Sequence, residues 1–256
     1  MPSVQELYEF LSSKFPKSYS CDWDNDGLMV CTNLNREVVR VLCTLDVTDA
    51  AVDHAISNNF DVIVSHHPLI FSPLKCVSAT DAKSRRIMKL ISHNISVMSF
   101  HSRLDAAPGG LNDVFAKLMG LSDVETVEVD GERVCRIGTV QTPTTCAEFA
   151  AFAKKTLGAE RVLYAEAGMP VHRVAVCGGD GKDFVEAVKA AGADSYITGQ
   201  LSYNIMEEAS EIGLNMFEAG HFFTEDFIVG YLTLLILKEY TQVQTAYFGS
   251  NLVKAI

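Results

Sequence analysis

Apolar positions recur at helical spacing at the start of the chain. Val4, Leu7, Tyr8 and Leu11 share one face, and Ser3 and Glu6 have capping-box spacing, so a helix opens at Ser3. A loop rich in Asp and Asn follows over residues 20–27. The β-branched run at 38–45 then predicts a strand, 51–57 a helix with Val52, Ala55 and Ile56 inward, and 61–64 a short buried strand that runs into Ser65, His66, His67 and Pro68. A helix at 85–91 and a strand at 95–100, leading straight into His101, repeat the alternation. After a loop holding Pro108, Gly109 and Gly110, a helix carries Leu111, Val114, Phe115 and Leu118 on one face. Strand and helix alternate over the first 120 or so residues, which predicts a mainly parallel sheet covered on both faces.

Asp130 and Gly131 signal a turn, and a domain boundary is expected near Val124. Beyond it the pattern predicts strands at 136–141, 161–165, 171–177, 195–198 and 214–217. Helices are expected from a Thr145/Glu148 capping box to about Leu157, and at 183–190, 203–211 and 224–240, with a last strand at 244–248. The chain shows no internal repeat and no low-complexity segment.

Composition narrows the class. Of 256 residues, 48% are hydrophobic and 21% charged, as in an ordinary globular protein. The net charge of −11 argues against nonspecific binding to nucleic acid or anionic membranes. No apolar run spans a bilayer, and the acidic, helical N-terminus lacks the form of a secretory signal, so a cytoplasmic protein is expected. The seven cysteines are widely spaced with no CxxC pair, which points to buried free thiols in a reducing compartment rather than a zinc ribbon or redox motif.

Four of the seven histidines follow expected strands. His66 and His67 end one, His101 ends a second with Asp105 four residues on, and His221 lies three residues beyond Glu218 at a third. Ligands collect outside the carboxyl ends of strands in open α/β sheets. His221 and Glu225 are also four apart, so a helix would place both on one face. Imidazole with carboxylate suits zinc, iron, manganese or nickel, and the absence of clustered thiolates argues against iron–sulfur or copper(I) sites. His54, His93 and His172 are expected to be structural or solvent-facing. The turn Gly178-Gly179-Asp180-Gly181 follows a strand and precedes a helix. It reads either as a backbone cradle for phosphate or as a tight turn needing positive φ; it fits neither a P-loop nor a GxGxxG fingerprint.

Taken together, Trp23-Asp24-Asn25-Asp26-Gly27-Leu28, Ser65-His66-His67-Pro68, the stretches 101–110 (HSRLDAAPGG) and 174–181 (VAVCGGDG), Thr198-Gly199-Gln200, and 219–225 (AGHFFTE) resemble the Nif-three-like family, whose members are also labelled GTP cyclohydrolase 1 type 2 homologues. The resemblance implies two α/β domains, residues 1–124 with 222–256 and residues 125–221, and a dinuclear metal site in the cleft between them. It implies His66, His67, Asp105, His221 and Glu225 as ligands of two divalent ions, with Asp105 or Glu225 bridging, and a homohexameric ring built from dimers. Two positions depart from the family pattern: Gln200 stands where Glu is common and Asn204 where His is common.

The expected activity is metal-dependent hydrolysis of a nucleotide-like or phosphorylated small molecule, with His101 as general acid or base one helical turn from Asp105. The alternative role for His101 is a hydrogen bond that orients a metal-binding residue. The alternative for the protein is a non-catalytic one in metal delivery, metal sensing or assembly. DNA binding through a central pore is weaker, given the acidic charge.

Overall fold

The computed structural model describes residues 1–249 and 251–254. The first elements in chain order are α1 (Val4–Lys14), β1 (Gly27–Val30), β2 (Arg40–Thr44), α2 (Asp49–Ser57), β3 (Val62–Ser65), α3 (Ala82–Ser92), β4 (Ser96–Ser99) and α4 (Ser102–Ala106). Next come α5 (Leu111–Leu118), β5 (Leu121–Val129), β6 (Glu132–Thr144), α6 (Cys146–Leu157), β7 (Leu163–Ala165), β8 (Val171–Cys177) and α7 (Val185–Ala190). The remainder is β9 (Ser195–Thr198), α8 (Tyr203–Glu211), β10 (Asn215–Glu218), α9 (His221–Glu225), α10 (Phe227–Glu239) and β11 (Gln244–Phe248). Among the described residues no helix is long and apolar enough to cross a membrane.

The chain forms two compact α/β units. The first joins Met1–Leu104 to Ile228–Leu252, and the second is built on Asp105–Phe227. The break falls at Asp105, about 20 residues before the expected Val124, because α5 belongs with the later strands. Phe115, Ala116 and Met119 pack with Val174, Val176, Ile197 and Phe217 in one core, and apolar burial of that size outweighs proximity in sequence.

In the first unit five strands are ordered β1-β4-β3-β2-β11. β11, β2, β3 and β4 run parallel, and β1 is antiparallel on β4. The sequence pattern anticipated the parallel strands but assigned no element to residues 28–30 of β1. β3 and β4 are buried along their whole length, which is why they read as continuous apolar or small runs rather than alternation. Leu42, Ile63, Val97, Leu90 and Phe60 fill the core. The helix α1 starts as expected: the Ser3 hydroxyl accepts from the Glu6 N–H, and the Glu6 carboxylate accepts from the Ser3 N–H at 2.7 Å.

The second unit holds six strands in the order β5-β6-β8-β9-β10-β7. β8, β9 and β10 are parallel; β5, β6 and β8 form an antiparallel run, and β7 is antiparallel on β10. Asp130 and Gly131 take φ values of 51° and 86°, the positive-φ pair that a two-residue type I′ hairpin needs. They join β5 to β6, so the turn was legible while the strand before it was not. β5 is a mostly exposed edge carrying Asp123, Glu125 and Glu128, and such charges disguise a strand while protecting its edge.

Candidate metal centre

The first unit brings its chemistry together by register. Thr44, Ser65 and Ser99 are lateral neighbours on the parallel strands β2, β3 and β4, so residues just beyond them leave the sheet at one edge. Those residues are Asp46, His66 with His67, and His101. The ring centroids of His66, His67 and His101 form a triangle with sides of 5.0, 5.3 and 5.6 Å. One donor nitrogen from each lies within 4.8 Å of the others.

Each ring is oriented through Nδ1. His66, fully buried, has Nδ1 2.9 Å from the Phe100 carbonyl oxygen. His67 Nδ1 is 2.8 Å from Asp46 Oδ1, and His101 Nδ1 is 2.9 Å from Asp24 Oδ1. A carbonyl or carboxylate oxygen only accepts, so each Nδ1 carries the hydrogen and each lone pair lies on Nε2. This is the arrangement by which carbonyls and carboxylates orient imidazole ligands for a metal. It qualifies His101 as a third donor as well as a proton-transfer group.

Asp24 is itself held firmly. Its second oxygen accepts from the Ser102 N–H at 3.0 Å and from the Ser102 hydroxyl. Burial pushes its carboxyl up, but the hydrogen bond and charge of His101 and the Ser102 donors outweigh burial and bring it down to about 2. Beneath it, the wholly buried Arg103 donates to both oxygens of Asp26 at 2.9 and 3.0 Å. Thus Asp24 and Asp26 of the loop before β1 grip consecutive residues, Ser102 and Arg103, after β4.

In the second unit Cys177, Thr198 and Glu218 are lateral neighbours on β8, β9 and β10. Their continuations are the glycine turn, Gly199 with Gln200, and the start of α9. The long helix expected at 224–240 is observed as α10 from Phe227, and a separate short helix, α9, precedes it, starting at His221 immediately after Gly220. His221 and Glu225 therefore share one helical turn, and His221 Nε2 lies 3.1 Å from Glu225 Oε2. His221 Nδ1 is 3.4 Å from the Gln200 amide oxygen. Asp105 lies in α4, and its carbonyl accepts from Asn112 Nδ2 at 3.3 Å.

The glycine turn is not a phosphate cradle. The Gly178 N–H donates to Asn112 Oδ1 at 2.8 Å, Gly179 to the Thr224 hydroxyl at 3.1 Å and Gly181 to the Thr198 hydroxyl at 3.0 Å. Three of the N–H groups that would hold a phosphate are thus already engaged. The turn exists for close approach: a Cβ on Gly179, where φ is +67°, would meet Glu225 Oε1 at 2.3 Å. A Cβ on Gly199 would meet the Thr224 hydroxyl at 2.4 Å. These glycines let the backbone lie directly beneath the Glu225 carboxylate and its neighbours.

The remaining histidines stand apart, as expected. His54 packs on Phe248, with ring centroids 5.0 Å apart, and His93 Nδ1 is 2.8 Å from the Lys89 carbonyl at the end of α3. His172 is exposed. Among the thiols, burial lifts Cys43 to about 12 and Cys146 to about 11, while a hydrogen bond with Cys135 and burial push Cys177 well up. All three stay protonated at neutral pH and lack nucleophilic character.

The Duf34/NIF3 (NGG1p interacting factor 3) profile matches residues 2–251. The chain belongs to the Duf34/NIF3 family. A relative from Streptococcus pneumoniae, named GTP cyclohydrolase 1 type 2 homolog, is 33% identical over 239 residues, covering 91% of this chain and 89% of the relative. A Bacillus cereus protein related to NIF3 superposes with a TM-score of 0.91 at 23% identity, covering 100% of this chain and 99% of that one. Reduced HcgD from Methanocaldococcus jannaschii gives a TM-score of 0.84 at 25% identity over 96% of this chain and 97% of its own. Membership in the Duf34/NIF3 family fixes the two-unit α/β fold. The donor set here, imidazoles oriented through Nδ1 and a carboxylate beside His221, fits a divalent metal of the zinc, iron, manganese or nickel kind.

Asp24, Asp46, Asn112 and Thr224 were not singled out for these roles from sequence. Asp24 sits in a quoted motif, and its role needed the pairing partner 77 residues away. Asp46 had a usable signal, since it lies two residues beyond the end of β2 in a sheet whose other ends carry histidines.

Proposed function

We propose that the chain holds two divalent metal ions through His66, His67, Asp105, His221 and Glu225, and hydrolyses a nucleotide-like or phosphorylated small molecule. The observation that carries this reading is the fixing of Nδ1 in His66, His67 and His101 by oxygen acceptors, which turns Nε2 of each toward ligation or proton transfer. The His221–Glu225 pair, seated over Gly179, supplies the second group of donors. Paired divalent ions, when bound, acidify water near neutral pH and stabilise charge on the substrate oxygen.

The protein's own residues do the rest. His101 takes or gives a proton at Nε2, while Asp24 holds the Nδ1 hydrogen and balances the charge of the imidazolium. Ser102 fixes the Asp24 carboxylate, and with it the angle of the ring. The names of the relatives point to opening of a purine imidazole ring as the reaction. Since the glycine turn already uses three of its N–H groups internally, recognition falls more on the body of the substrate than on its phosphates.

A second reading is metal delivery or sensing without turnover, and Gln200 favours it. Its amide oxygen faces His221 Nδ1, and unlike a glutamate at that position it does not titrate. The test combines metal analysis of protein purified without added metal with a turnover screen of purine nucleotides, phosphoesters and cyclic amides in several divalent ions. Near two ions per chain with turnover supports the hydrolase. Two ions with no turnover supports delivery or sensing, and no bound metal refutes both.

A further inference from the structure

Beside the imidazole triangle of the first unit stand two large aromatic side chains that remain about half in solvent. Trp23 is 55% and Phe71 45% exposed. Their ring centroids are 6.1 Å apart, and each also meets the His101 ring, Trp23 at 5.9 Å and Phe71 at 6.2 Å. The three planes are mutually inclined at 55°, 75° and 88°. They form an open aromatic corner rather than a closed stack, so a flat ring laid on one face presents its edge to another, the geometry aromatic quadrupoles favour.

The loops that carry these rings are locked to one another. Asp24, next to Trp23, is bound by Ser102 and His101. Asn25 donates its side-chain N–H to the carbonyl of Ile70, the residue before Phe71. One cross-loop hydrogen bond therefore fixes the separation of the two aromatic residues. Adjoining exposed aromatic rings form an apolar patch of the kind that marks a surface some ligand or partner covers. The same fixing lowers the ordering cost of a ligand that does.

We infer that Trp23 and Phe71 are the platform on which the substrate stacks a planar heteroaromatic ring, of purine type, beside His101. The inference rests on the proposed hydrolytic site and adds to it the residues that seat the substrate's ring. A flat ring gains stacking from this corner that a sugar phosphate or aliphatic amide lacks. His101 then stands at the edge of the stacked ring, where proton transfer to a ring atom is needed.

Trp23 is the only tryptophan of the chain, so its emission reports on this corner alone. The test titrates guanosine 5′-monophosphate and, separately, ribose 5-phosphate into the metal-loaded full chain and into chelator-treated chain, with metal content measured on the same samples. The nucleotide should quench the emission and the sugar phosphate should not. Phe71→Ala should weaken nucleotide binding by about five- to 150-fold, the range for loss of one stacking partner, with metal content unchanged. Trp23→Leu, followed by equilibrium dialysis, should do the same. Equal responses to both ligands, or no response in a chain that holds two metals, overturns the platform and leaves the metal site standing. Base-dependent quenching in a chain that binds no metal supports the platform and overturns the metal reading. A blue-shifted emission indifferent to both ligands means that a second copy covers the rings, and also overturns the proposal.

Discussion

Replacing Gly179 by Ala tests how the second unit holds its carboxylate. Two costs are separable. The backbone there has φ of +67°, and a non-glycine residue in that region costs roughly 1–2 kcal/mol. The added Cβ would also lie 2.3 Å from Glu225 Oε1 and 3.3 Å from His221 Nε2. Relieving such overpacking costs about 1–3 kcal/mol more and moves the carboxylate. The sum is roughly 2–5 kcal/mol, which for a chain of this size lowers the melting temperature by about 5–15 °C. Gly168→Ala is the control: φ is +73°, but nothing lies within 4 Å of the new Cβ. It carries only the backbone term, a loss of about 2–6 °C. Melting by differential scanning calorimetry and metal content by mass spectrometry read both terms. Gly179→Ala should melt below Gly168→Ala and lose metal, while Gly168→Ala keeps it. Equal melting temperatures with full metal in both would refute the close approach of Glu225 to this turn.

Other consequences follow from the first unit. Asp24 has its carboxyl held at about 2, below the ordinary 3.8. Its depressed value contributes stability that is fully present above about pH 4 and is lost as pH falls through 2. The contribution is on the order of 2 kcal/mol, so Asp24→Asn should flatten the acid limb of a stability-versus-pH titration; an unchanged limb between pH 4 and pH 2 refutes the pairing. Arg103→Leu leaves the buried Asp26 without its double hydrogen bond, and loss of one member of such a pair costs roughly 3–5 kcal/mol, read by urea denaturation. Ser3→Ala removes the capping hydroxyl of α1 and should cost about 1 kcal/mol in the same assay, with no change in metal content.

Much of this fold was legible because its strands are short, apolar and followed at once by polar chemistry. The reading of 61–64 running into His66 and of 95–100 running into His101 located both strand ends that matter. The capping boxes at Ser3 and Thr145 and the Asp130-Gly131 hairpin are local in origin and were read from local residues. The losses have a common cause. β1 is four residues on an edge, and β5 hides behind Asp123, Glu125 and Glu128; pairing partners decide both, and those partners lie elsewhere in the chain. The helix α5 reads as a helix from its own face, yet its place in the second unit depends on Val174 and Phe217, which its sequence does not reveal. The glycine turn is the same lesson at the site: its composition fits a phosphate cradle, but Asn112, Thr198 and Thr224 take up its N–H groups. The orienting roles of Asp24 and Asp46 likewise follow from register and loop pairing, not from spacing.

The central claim is that His66, His67, Asp105, His221 and Glu225 hold two divalent ions. Anomalous diffraction from crystals of the purified protein, collected on both sides of the absorption edges of zinc, iron, manganese and nickel, tests it directly. The account predicts two anomalous peaks about 3.5–4 Å apart, each roughly 2 Å from donor atoms of these five residues. A single peak bound only by His66, His67 and His101, or no peak near any of them, contradicts it.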